Sequence, residues 1–218
     1  MGVIYSIHTM TSTLAPSTLV ADLAVSQPEV QMMIGIGLVK ESEAVYFQYQ
    51  GEDKKPVALT LPSGKALTRL PNVTLTGIDI AEEVGEFKST KLNVYIDASG
   101  HQLMLTSGLT TLWSQCLLAG LMAVYNEYAI QSPFTIDTWK GTAKMRPCFA
   151  AIRQNSQKMS DTDMYEQLKE ARSDGDKKRV ESILRDSIEI LQAALKIEYS
   201  SVEVSDVSNE SESTENDF

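Results

Sequence analysis

Between Lys91 and Gly108 the chain alternates with a period of two: Leu92, Val94 and Ile96 are apolar, while Lys91, Asn93 and Tyr95 between them are polar or amphipathic. Such alternation sends successive side chains to opposite faces of a strand. Asp97–Gly100, DASG, supplies a turn, so KLNVYIDASGHQLMLTSG predicts a β-hairpin with one apolar and one wet face. Upstream, QMMIGIGLVKESEAVYFQYQ (31–50) predicts two strands about a polar turn at Lys40–Glu43, with Gly35 and Gly37 marking a bulge or bend. In the second of these, Tyr46 and Gln48 alternate with Val45 and Phe47, which points Tyr46 away from the core. GEDKKP (51–56) reads as a loop. LPSGKALTRLP, bracketed by Pro62 and Pro71, reads as extended but irregular, and NVTLTGIDI (72–80) as a third strand.

The pattern changes at Leu109. LTTLWSQCLLAGLMAVYNEYA (109–129) is long enough for a helix of five turns, and no charge falls between Gln102 and Asn126. A membrane span needs a longer unbroken apolar run and basic flanks. Thr110, Thr111, Ser114 and Gln115, with strand patterns on both sides, favour a central core helix. FTIDTWKG and RPCFAAIRQ predict two further strands. SDTDMYEQLKEA opens a helix with acidic residues at its N-terminus, SDGD (173–176) breaks it, and a second helix carries Val180, Ile183, Leu184, Ile188, Leu191 and Leu195 on one stripe. That stripe must pack on the body or on another copy, which makes 176–197 a candidate homodimer element.

The resulting order of strands, hairpin, helix and two strands predicts a mainly β fold with helices. It matches an OB-like antiparallel barrel, which places a helix between its third and fourth strands; an α+β sheet with one covering helix is the competitor. The expected organisation is a flexible leader or short helix over 1–29, including two turns at Ser17–Val25. A barrel domain follows over 30–158, then C-terminal helices over 159–199 and a disordered acidic tail over 200–218. Met10 is as plausible a start as Met1.

Charge changes this picture in one respect. The net charge of −10 argues against nucleic acid until its distribution is read. Residues 203–218 carry six acids and no base, whereas 31–158 carry twelve bases against eleven acids. Thr138–Lys158 holds five bases and no acid. Two cysteines, Cys116 and Cys148, are too few for a disulfide scaffold, and no secretory pattern opens the chain, so a reducing cytoplasm is expected. MGVIYS fits a myristoylation pattern without the basic cluster that would support it.

Enzyme signatures are missing. His8 and His101 lack the spacing of a zinc site with the cysteines, GIG at Gly35 lacks the remainder of any phosphate-binding fingerprint, and no nucleophile–base pair can be nominated. Neither catalysis, metal nor cofactor is expected. Binding signatures are better developed. Tyr46, Tyr95, Trp139 and Phe149 interleave with Lys54, Lys55, Lys91, Lys140, Lys144, Arg146 and Arg153. Rings that stack on bases beside cations that neutralise phosphates form the usual surface for single-stranded nucleic acid.

The chain ends SNESESTENDF, with Glu210, Glu212, Glu215 and Asp217 followed by Phe218. This resembles the flexible acidic segment, closed by a C-terminal phenylalanine, of bacterial and phage single-stranded-DNA-binding proteins. The resemblance covers about the last dozen residues and a compatible strand order; the helices from Ser160 to Leu195 depart from the basic family pattern. It implies a largely sequence-independent binder of single-stranded DNA or RNA in the cytoplasm of a bacterial cell or phage-infected host, coating it in replication, recombination or repair. Glu212, Glu215, Asp217 and Phe218 would then recruit replication or repair proteins. The alternative is an acidic adaptor, or a phage inhibitor of a host nucleic-acid enzyme, whose interface is the Val180–Leu195 stripe.

Overall fold

The computed structural model describes residues 30–39, 42–51, 55–142 and 146–207, with side chains as far as Lys196. The leader, Lys54, Lys144 and residues 208–218 of the acidic tail, including Glu212, Glu215, Asp217 and Phe218, lie outside the described residues. Nine strands and three helices follow in the order β1 (Met32–Ile36), β2 (Tyr46–Gln50), β3 (Lys55–Ala58), β4 (Arg69–Val84), β5 (Ser89–Ala98), β6 (His101–Gly108), α1 (Leu112–Glu127), β7 (Phe134–Lys140), β8 (Cys148–Gln154), β9 (Gln157–Met159), α2 (Thr162–Ser173) and α3 (Lys177–Val207). The strands form one mixed sheet in the order β3-β2-β1-β6-β5-β4-β7-β8-β9. Every pairing is antiparallel except that of β1 with β6.

The β5–β6 hairpin follows its alternation: Leu92, Val94 and Ile96 are fully buried, and the partners run from Lys91↔Gly108 to Ala98↔His101. β4 is sixteen residues long and extends the expected 72–80 strand at both ends. It pairs with β7 over Arg69–Val73 and with β5 over Val73–Val84, with register irregularities between Leu75 and Gly77 and between Ala81 and Val84. Gly77 lets the Tyr95 ring pack closely there: an added Cβ would stand 3.2 Å from the ring, which would have to give by a few tenths of an ångström. Lys55 and Pro56, read as loop, begin β3 at the sheet edge, where a proline costs no ladder bond.

The expected barrel is not closed. Both edges of β6 are taken, one by β5 and the other by β1, so the sheet ends at β3 and β9 instead of joining β6 to β8. An N-terminal strand arriving parallel to β6 is the physical reason, and nothing in the local alternation of MMIGI marks it.

α1 is capped by Thr111, whose side chain accepts from the Ser114 amide, and it is buried nearly all round, as an apolar central helix should be. It lies on the inner face of the sheet against β8, and Gly120 permits the contact: a Cβ there would stand 2.8 Å from Ile152 Cβ. Asp161 caps α2 and Asp176 accepts the Arg179 amide at the start of α3. Val180, Leu184, Ile188, Leu191 and Leu195 are buried in the same core as the sheet and α1. The stripe is therefore consumed within the chain, and a homodimer through 176–197 would have to use the outer side of the helix. α3 continues to Val207, beyond the expected limit at 199, because no Gly or Pro interrupts the chain after Gly175.

Candidate nucleic-acid interface

The cross-strand register of β7 and β8 sets Trp139 opposite Phe149, Asp137 opposite Ala151 and Thr135 opposite Arg153. These alternate with Ile136, Thr138, Ala150 and Ile152, all buried on the side that α1 covers. Arg69 of β4 stands opposite Asp137. The other face of these strands carries an aromatic pair and, four residues along β8, a pair of guanidinium groups, with the buried Ala151 between them. The separation is about 13 Å at the usual rise of a strand.

Trp139 and Phe149 stack with ring centroids 5.9 Å apart and planes inclined by 18°. Trp139 is 43% exposed. Asp137 accepts from Arg69 Nε at 2.6 Å and Nη2 at 3.1 Å, and from Arg153 Nε at 2.7 Å. The Arg69 bond, reinforced by Arg153 and opposed by burial, holds its carboxyl below the usual carboxylate range. One anion fixes two cations, so the cluster keeps a net positive charge. A concavity of about 470 Å³ lies against the two arginines, with Asn72, Thr135, Asn155 and Ser156 around it.

The expected residues divide. Trp139, Phe149 and Arg153 are brought together on this face. Lys140, at the end of β7, and Arg146, in the loop that follows, are engaged: Lys140 Nζ donates to the Ser42 carbonyl, and Arg146 Nη2 to Glu43 at 2.8 Å. They tie the β7–β8 loop to the entry of β2. Lys55 lies at the far edge of the sheet on β3.

Lys91, Asn93 and Tyr95 share the wet face of β5, with β4 standing between them and the Trp139 face. Tyr95 is less accessible than its alternation implies. Its ring packs on Gly77, its hydroxyl donates to Asp79 at 2.8 Å, and only 8% of the residue is exposed. Burial and that bond to a carboxylate both raise its pKa.

Tyr46 is a correction. It points inward, is fully buried, and its hydroxyl pairs with Thr138 Oγ1 at 2.6 Å beside the Trp113 Nε1–H, which also donates to Thr138. Burial pushes the phenol pKa up. VYFQY offers a ring on either face, so period two cannot choose the register; a buried hydroxyl partner does. Phe47 and Tyr49 take the outer face, with their rings 5.2 Å apart edge to face.

Three features of the surroundings were not nominated from sequence. Arg69 sits in a stretch read as irregular, and its value depends on register with Asp137. Phe87, 88% exposed, occupies the β4–β5 turn at Gly85–Lys88; a phenylalanine within a Gly- and charge-rich turn was the available signal. Lys158, Tyr165 and Arg172 line a concavity beside the aromatic pair. The chain matches no protein-family model, and comparison with curated proteins and with solved structures returned no match. Among the described residues no helix is long and apolar enough to cross a membrane.

Proposed function

We propose that this chain is a non-enzymatic single-stranded-DNA-binding protein, largely indifferent to base sequence, which coats single strands and recruits replication or repair proteins through its acidic tail. The observation that carries this reading is the single sheet face on which the exposed Trp139, stacked on Phe149, and the Arg69–Arg153 pair stand in register. Rings there can stack on bases of any identity, while the arginines neutralise phosphates.

The strand order supports an OB-like centre. β6-β5-β4-β7-β8, with α1 between β6 and β7, is the order of a five-stranded OB barrel read from its third strand to its fifth. Such folds engage oligonucleotides with the second and third strands, here β5 and β6, and with the loops after the first and fourth; the Trp139–Phe149 pair lies instead on the fourth and fifth strands, β7 and β8, beside the second of those loops. The corresponding loops here are Gly85–Lys88, bearing Phe87, and Gly141–Pro147, flanked by Trp139 and Phe149. β1 lies along β6 where a barrel would close, which is a departure from the simple form.

The test is tryptophan fluorescence on titration with poly-dT at two salt concentrations. Trp113 is fully buried and serves as an internal reference, so quenching should come from Trp139 and disappear in Trp139→Phe. Affinity should fall steeply with salt as counterions are released. Absence of binding, or binding that ignores salt, would sink the reading. The adaptor alternative loses support because its interface, the Val180–Leu195 stripe, is packed inside the fold.

A further inference from the structure

Beside the Trp139–Phe149 pair, on the side of α2, lies a concavity of about 530 Å³, the size of a small-ligand site. Leu112, Cys116 and Ala150 line it with apolar surface, Tyr165 and the stacked pair add rings, and Lys158 and Arg172 supply charge. No acid is among its lining residues. Arg172 is held in place: Nη1 donates to Gln115 Oε1 at 2.7 Å, and the guanidinium lies 6.0 Å from the Tyr165 ring centroid. Lys158 stands opposite Arg153 in the β8–β9 register, so positive charge runs from Arg69 and Arg153 across β9 towards α2.

A pocket with aromatic walls, an apolar floor and cations at the rim fits a planar ligand that carries an anion. We infer that this concavity receives one nucleotide of the bound strand. Its base lies among Trp139, Phe149 and Tyr165, and its phosphate is met by Lys158 and Arg172. The strand therefore leaves the β7–β8 face towards α2, and the helical segment becomes part of the binding site. This rests on the proposed function and assigns it a subsite made of Lys158, Tyr165 and Arg172.

Cys116 reports on the pocket directly. Burial raises its thiol pKa, against a hydrogen bond from Ala150 that lowers it, so modification should be slow enough to follow in time. In the full chain bearing Cys148→Ser, Cys116 is the sole thiol, and saturating oligo-dT should slow its maleimide labelling about tenfold. Tyr165→Ala, Arg172→Gln and the surface change Lys158→Gln should each weaken oligo-dT binding roughly five- to tenfold, the range for one lost stack or phosphate contact. Tyr165→Phe should bind like the wild type, because the ring rather than the hydroxyl does the stacking.

If oligo-dT quenches Trp139 while Cys116 labels at an unchanged rate and Lys158→Gln binds normally, the pocket inference falls and the proposed function stands. If oligo-dT fails to bind at all, both fall. Protection of Cys116 by an acidic peptide ending in Asp-Phe, with none from oligo-dT, would reassign the pocket to a protein ligand and overturn the inference.

Discussion

Tyr46 and Trp139 are both strand aromatics, and their surroundings give them opposite roles. The Tyr46 hydroxyl belongs to a buried trio with Thr138 and Trp113. Tyr46→Phe removes one bond from that trio and should lower stability by about 1–2 kcal/mol while leaving DNA affinity unchanged. Trp139→Ala should do the reverse. It is exposed on the candidate face, so melting should barely move, while affinity for oligo-dT drops about tenfold or more, as expected for a lost base stack. Thermal melts and fluorescence anisotropy on the same two variants separate the roles. Asp137 offers a pH test. Its folded pKa is depressed by Arg69 and Arg153, so its stabilisation is present above the unfolded value near 3.9 and is lost as pH falls through the lower folded value. The difference in Tm between wild type and Asp137→Asn should be constant from neutrality to about pH 5 and close in stronger acid.

At the scale of elements, α1 packs closely on β8 where Gly120 meets Ile152. Gly120→Ala would force Ile152 away, since the new Cβ falls 2.5 Å from Ile152 Cγ1 and 2.8 Å from its Cβ. Overpacking of this kind costs about 1–3 kcal/mol; urea unfolding should show it as a lower midpoint with little change in slope. α3 matters for a related reason. Leu184 is fully buried in the common core, so Leu184→Ala should cost about 2–5 kcal/mol, read by the same unfolding assay. An interface residue of an adaptor would instead leave the isolated chain's stability untouched.

For the whole molecule the deciding property is how charge is distributed. Four acids, Glu210, Glu212, Glu215 and Asp217, stand in the last eleven residues, against a face that presents Arg69, Arg153, Lys158 and Arg172. Under the proposed function, such a tail would compete with DNA for these cations. Removal of residues 208–218 should tighten oligo-dT binding at low salt and abolish recruitment of partner proteins, measured by anisotropy and by pull-down with the two chain lengths. Weaker DNA binding after truncation would contradict the competition.

Local sequence determined the elements whose residues answer only to their neighbours. The β5–β6 hairpin, α1, the SDGD break and the α3 stripe are legible because period two, period 3.6 and turn residues act over a few positions. Trp139, Phe149 and Arg153 were also legible as a basic, aromatic run with no acid. What needed tertiary structure was everything set by register between distant strands. That includes the arrival of β1 beside β6, which keeps the sheet open, and the inward turn of Tyr46. It also includes the pairing of Arg69 with Asp137 across 68 positions and the approach of Arg172 to the aromatic pair. Each depends on which buried polar group finds a partner and which edge remains free, and those choices are made between segments, beyond the reach of any single window of sequence.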